Sequence, residues 1–123
     1  MNNRIENNRL IRNFMGLYPT LNKPDFYSYR DGVFFSSNGT IEEVSKSMDE
    51  YVKYSTDWNW LMKVVEEIEK YKFNFIIGGT NNQCIIVDKL TEKHIIRNYG
   101  NSKLISTYGC CIEFIKWYNQ QSK

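Results

Sequence analysis

A chain of 123 residues, 41% hydrophobic and 24% charged, is sized and composed for a single domain, residues 1–123, around one core. Its 16 basic and 14 acidic residues leave a net charge of +2, which excludes a global field strong enough to draw the chain to nucleic acid or anionic lipid. An aromatic share of 15% exceeds what such a core ordinarily needs, so some rings are expected at a partner surface.

Residues 1–6 are polar, and no apolar run reaches the length of a signal-peptide core or a membrane span. The expectation is cytoplasmic residence without membrane association. The cysteines, Cys84, Cys110 and Cys111, are odd in number, and adjacent cysteines rarely pair because the geometry strains the backbone. All three read as reduced, buried, small apolar residues.

Ile5, Leu10, Ile11, Phe14 and Met15 fall near helical spacing, and Gly16 follows where a left-handed cap is expected. Arg4, Arg9 and Arg12 lie off this stripe and read as a solvated face, or as a surface for an acidic or phosphate-bearing partner. From Leu17 to Asn38 the chain is rich in aromatics and turn formers and reads as irregular structure around one hairpin. Tyr18-Pro19, Lys23-Pro24, Asp31-Gly32 and Asn38-Gly39 punctuate the stretch, and a hairpin across Asp31-Gly32 would pair Phe26, Tyr27 and Tyr29 with Val33, Phe34 and Phe35. Thr40 and Glu43 have capping-box spacing for a helix running to about Lys53, although residues 51–54 read equally as a strand.

The clearest helix spans residues 57–71, with Ser55 or Thr56 as cap and Asp57 in the first turn. Trp58, Leu61, Met62, Val65 and Ile68 form its expected core stripe, Trp60 and Val64 widen it, and Glu66 and Lys70 sit at the favourable four-residue spacing. Strand-like runs follow at 73–77, 83–88 and 94–99. Their short connections favour an antiparallel meander whose middle run, Cys84 to Val87, is apolar on both faces.

A final helix over residues 102–121, capped by Ser102, carries one stripe of Leu104, Ile105, Tyr108, Cys111, Ile112, Ile115 and Tyr118. Cys110, Phe114 and Trp117 make a second beside it. Gly109 in its middle costs roughly 1 kcal/mol against alanine, so the backbone of another element is expected to cross there. The fold class is therefore α+β: a helix-strand-strand-strand-helix core, preceded by an N-terminal helix and a variable region.

Catalytic groups are not evident. A lone His94 excludes a multi-histidine metal site, no Cys-x-x-Cys pair offers thiolates at zinc spacing, and the loop of residues 78–82 lacks a Walker lysine and leads into a strand. Neither cofactor nor metal is expected, and no residue is assigned a catalytic role. Two surfaces stand out instead. Lys89, Lys93, Arg97 and Lys103, with Tyr99 between them, would contact phosphates and stack a base, against the plainer reading of a solvated face. Trp60, Val64, Phe114, Trp117 and Tyr118 would form a partner site or dimer seam, against simple core packing.

Three stretches carry a resemblance: Leu10-Ile-Arg-Asn-Phe-Met-Gly16, residues 54–69 beginning Tyr54-Ser-Thr-Asp-Trp58, and Cys111-Ile-Glu-Phe-Ile-Lys-Trp-Tyr-Asn119. Together they resemble a largely uncharacterised group of small phage and prophage proteins of Bacteroidota. The chain departs from that group at Lys63, where proline is usual, and across residues 20–50. The resemblance marks phage origin and says little about activity. Joined to the small size, the absent catalytic groups and the surplus aromatics, it leads to the expectation of a non-enzymatic accessory protein in a bacterial host cell, binding a host protein or ribonucleoprotein as an anti-CRISPR-like inhibitor of a nuclease or nucleoprotein. The alternatives are a nucleic-acid-binding module, whose outline follows double-stranded-RNA-binding domains, and a self-associating, homodimeric phage component.

Overall fold

A computed structural model describes residues 3–16, 26–28, 34–36, 49–50, 52–78 and 80–121. The chain divides into two compact units, Met1–Val52 and Lys53–Lys123.

In the first unit, α1 spans Asn3–Phe14 and buries Ile11 and Met15. It stops where expected: Gly16 adopts φ 78°, and its N–H donates to Asn13 O at 3.0 Å. Burial also reaches Arg12, whose side chain is only 1% exposed, which corrects the expectation of an all-solvated arginine face. The cause is Asp49, distant in sequence, whose carboxylate accepts from Arg12 Nε at 2.8 Å and from Arg9 Nε at 2.7 Å. Asn8 Nδ2 adds a bond to Asp49 O at 3.0 Å. Asp49 and Glu50 are helical, whereas Val52 and Lys53 are not, so the helix expected to run to Lys53 ends earlier. A hairpin is present as β1, Phe26–Ser28, against β2, Phe34–Ser36, in the register Phe26↔Ser36, Tyr27↔Phe35 and Ser28↔Phe34. The expected Asp31-Gly32 turn and the Thr40–Glu43 capping box lie outside the described residues.

In the second unit, α2 spans Trp58–Glu69. Asp57, expected inside the first turn, is instead the N-cap: its backbone is extended and its carboxylate accepts from Asn59 N at 2.8 Å. The buried face is Leu61, Val64, Val65 and Ile68. Trp58 and Met62, expected in the core, are exposed, so the true face is rotated toward Val64. Lys70 pairs with Glu67 at 3.3 Å, three residues back, rather than with Glu66.

Strands β3 (Phe73–Ile77), β4 (Cys84–Asp88) and β5 (His94–Asn98) form the expected antiparallel meander in that order. Cys84, Ile85 and Ile86 are buried at its centre, as an apolar middle strand requires. The β4–β5 turn is held by Asp88, whose carboxylate accepts from Leu90 N at 2.8 Å and Thr91 N at 3.1 Å. These amides hold its carboxyl below the usual carboxylate range, Thr91 contributing most.

Helix α3 spans Lys103–Gln121, and Ser102 Oγ accepts from Ile105 N at 3.1 Å in the expected capping role. Its first turns face differently from the sequence reading. Ser106 and Thr107 are buried, while Ile105 is exposed. At Gly109 the close neighbour is a side chain and not a backbone: a Cβ there would stand 2.6 Å from Asn98 Nδ2. Gly109→Ala should therefore lower the melting temperature despite a helix-propensity gain of roughly 1 kcal/mol. Adding Asn98→Ala, which removes the obstacle, should recover much of that loss in the same thermal denaturation experiment.

Both helices lie on one side of the sheet. Phe73 meets Phe114 and Trp117 of α3, Cys110 Sγ donates to Cys84 O at 3.1 Å, and Asn98 reaches Gly109. Cross-strand pairing then assigns Phe73, Phe75, Ile77, Cys84, Ile86, Ile96 and Asn98 to the helix side. Asn74, Ile76, Ile85, Val87 and Arg97 belong to the other.

Candidate interaction surface

The side of the sheet away from α2 and α3 is built by alternation. Each strand places its odd or even residues there, and the centre is apolar: Ile85 is buried and Val87 partly so. Ile76, paired with Ile85, stays 50% exposed, and Asn74 beside it is also exposed. A register shift at Ile86/Val87 gives β5 an extra residue, which brings His94 onto the face that carries Arg97. Arg97 Nη2 donates to His94 Nδ1 at 2.6 Å, so the hydrogen of this imidazole sits on Nε2. The outcome is an apolar centre with a basic border.

The basic residues do not form a single platform. Lys89 folds back, its Nζ donating to Glu69 O at the end of α2 at 3.4 Å. Lys93 is exposed at the start of β5 and Arg97 is exposed on its open face. Tyr99, 49% exposed, lies past the other end of β5. Lys103 opens α3, and its Cε approaches Gly78 on the β3–β4 connection. With about 3.3 Å per strand residue, Lys93 and Tyr99 are roughly 20 Å apart. Of the five, only Arg97 is a strand residue of the open face; Lys93, opposite Asp88, falls on the helix side by the same alternation.

The expected aromatic surface is smaller than its sequence pattern. Val64 and Phe114 are fully buried, so both are core residues, which corrects their assignment to a partner surface. Phe114 packs at 5.0 Å from Phe73, 5.7 Å from Trp117 and 5.8 Å from Tyr118 between ring centroids. Trp117 and Tyr118 remain half-buried around that ring, and Tyr118 also meets Tyr71 at the end of α2. Trp60 packs edge-on against Tyr54 near the start of α2. Eleven residues of sequence separate Trp60 from Tyr71, about 16 Å of helix, so these rings do not form a continuous seam.

The thiols lie inside. Cys84, Cys110 and Cys111 are free and fully buried. Cys84 as hydrogen-bond partner, and then burial, push the Cys110 thiol well up; burial does the same to Cys111. Cys84 is drawn down, first by the hydrogen bond from Cys110. The buried Thr107 hydroxyl beside them also draws the Cys84 thiol down. Occluded thiols of this kind are poor nucleophiles. The native protein should accordingly leave Ellman's reagent unconsumed over minutes, and all three thiols should react once guanidinium unfolds it; rapid native labelling would contradict the packing.

Among the described residues, no group of three or more histidine, cysteine, aspartate or glutamate side chains is placed to hold a metal ion. Among them, too, no helix is long and apolar enough to cross a membrane. Ile76, Asn74 and His94 escape sequence reasoning, because Ile76 reads as an ordinary strand residue until the sheet is known to carry both helices on one side. No protein-family model, curated protein or solved structure matches the chain.

Proposed function

We propose that this chain is a non-enzymatic phage or prophage accessory protein that binds a host protein or nucleoprotein in the bacterial cytoplasm, and that it inhibits a nuclease of host defence. The supporting observation is the sheet with one side filled by α2 and α3 and the other carrying a half-exposed Ile76 on β3 and, across Ile85 of β4, Arg97 and His94 on β5. An apolar centre with a charged border is the ordinary anatomy of a protein interface. The resemblance to small phage proteins supplies the host context.

The test is capture of a stoichiometric partner from host lysate by the immobilised protein, alongside phage sensitivity of cells that express it. Wild type should retain a partner and alter sensitivity, while Ile76→Asp combined with Arg97→Glu should do neither. Absence of any partner, or equal capture by the folded double variant, overturns the reading.

Lys93 and Arg97, exposed together, support a nucleic-acid reading in second place. It requires salt-sensitive binding that weakens in Lys93→Ala and Arg97→Ala.

A further inference from the structure

We infer that the free edge of β5 accepts an extended acidic segment of the partner protein as a short added strand. This deepens the binding reading above and rests on it.

The phase of the hydrogen bonds identifies the open position. Gly78 N donates to Gln83 O at 2.8 Å and Lys89 N to Lys72 O at 3.0 Å, so alternate residues of β4, including Ile85 and Val87, bond toward β3. Cys84 and Ile86 therefore bond toward β5, to Asn98 and Ile96. The N–H and C=O of Arg97, between those two, point away from the sheet, and neither has a partner among the described residues.

The other outward groups are treated differently. On the opposite edge the same phase turns Phe75 N outward, and Glu69 Oε2 accepts it at 3.2 Å. That edge is closed at its midpoint. Past Arg97, the Tyr99 amide is taken by Asn98 Oδ1 at 2.7 Å. The bulge before Ile96 limits regular pairing on the other flank. What remains is a short opening centred on Arg97, suited to a few residues of extended chain.

Charge selects the occupant. Lys93 and Arg97 flank the opening, with Glu92 as the neighbouring acid. A second copy pairing β5 with β5 would set Arg97 against Arg97, and like charges directly opposed destabilise a strand pair. Nucleic acid offers no peptide groups to complete the ladder. A peptide strand with Glu or Asp opposite Arg97 meets both requirements, since its backbone fills the outward bonds and its carboxylate meets the guanidinium.

The probe is a capped seven-residue peptide of valine and threonine with one central glutamate, titrated into the full chain by NMR beside its central-lysine counterpart. The glutamate peptide should bind at least about tenfold more tightly, a difference of ~1.4 kcal/mol, with shifts concentrated at residues 94–99. Arg97→Glu should reverse the preference. Arg97→Ala removes the guanidinium and should erase the preference for glutamate while leaving some binding, whereas Arg97→Pro removes the outward N–H as well and should abolish peptide binding while leaving the β4–β5 ladder intact. Equal binding of both peptides, shifts confined to other elements, no binding, or an unreversed preference in Arg97→Glu overturns the inference. If the peptides fail while wild-type capture of a host partner persists, the edge assignment falls and the binding reading stands. If capture also fails, both fall.

Discussion

Asp49→Ala should cost the first unit about 3–5 kcal/mol, because it removes one side of a buried ion pair and leaves the other charged. Asp49 is fully buried, Arg12 is 1% exposed, and their 2.8 Å contact is joined by Arg9 at 2.7 Å. Asn8 Nδ2, which bonds the Asp49 carbonyl, would remain, so the variant keeps the backbone tie and loses only the carboxylate. The loss should appear as a lower midpoint in urea. The paired change Arg12→Met with Asp49→Leu tests the cause: removing both charges should restore most of the stability, since apolar replacements of a buried pair are often neutral or better. Equal loss in the single and double variants would show that shape, and not charge, is what the site requires. Arg9→Ala should do far less, because its side chain is 49% exposed and such pairs contribute ~1 kcal/mol or less.

Phe114→Ala should destabilise the second unit by about 3–5 kcal/mol. The ring is fully buried and touches Phe73, Trp117 and Tyr118, so its removal opens a cavity that three neighbouring rings must fill or leave empty. Against a typical domain stability of roughly 5–15 kcal/mol this is a large fraction. Phe114→Leu, which keeps most of the volume, should cost clearly less in the same urea titration. A cost for alanine below ~1 kcal/mol would mean that this ring is not the packing centre. Trp117 and Tyr118 would then be free to serve as the partner surface suggested by their sequence spacing.

Local signals were readable where a local rule decides. The apolar run at Cys84–Val87 announced a central strand, Ser102 a helix cap, and Gly16 a left-handed stop. Helix phase was harder. In α3 the apolar residues spread over much of the circumference, so periodicity did not show that Ser106 and Thr107, rather than Ile105, face the sheet. The same ambiguity placed Trp58 and Met62 inside α2 and Val64 at its margin. Long-range pairs were beyond reach: nothing near Arg12 in sequence signals Asp49.

The candidate surface was half visible. Arg97 and Lys93 were legible as exposed basic residues, but proximity along the chain suggested one patch, whereas Lys89 turns back to Glu69, Lys93 lies at the far end of β5 and Lys103 opens α3. Ile76 and His94 joined the surface through strand pairing and a bulge, and no residue-level pattern encodes either.

Hydrogen exchange on the protein with and without its captured partner addresses the open side of the sheet most directly. The account predicts new protection concentrated at residues 94–99, with Arg97 foremost because its amide points outward, and weaker protection around Ile76. Protection confined to the helices near Trp60, Trp117 and Tyr118, with β5 unchanged, would contradict it.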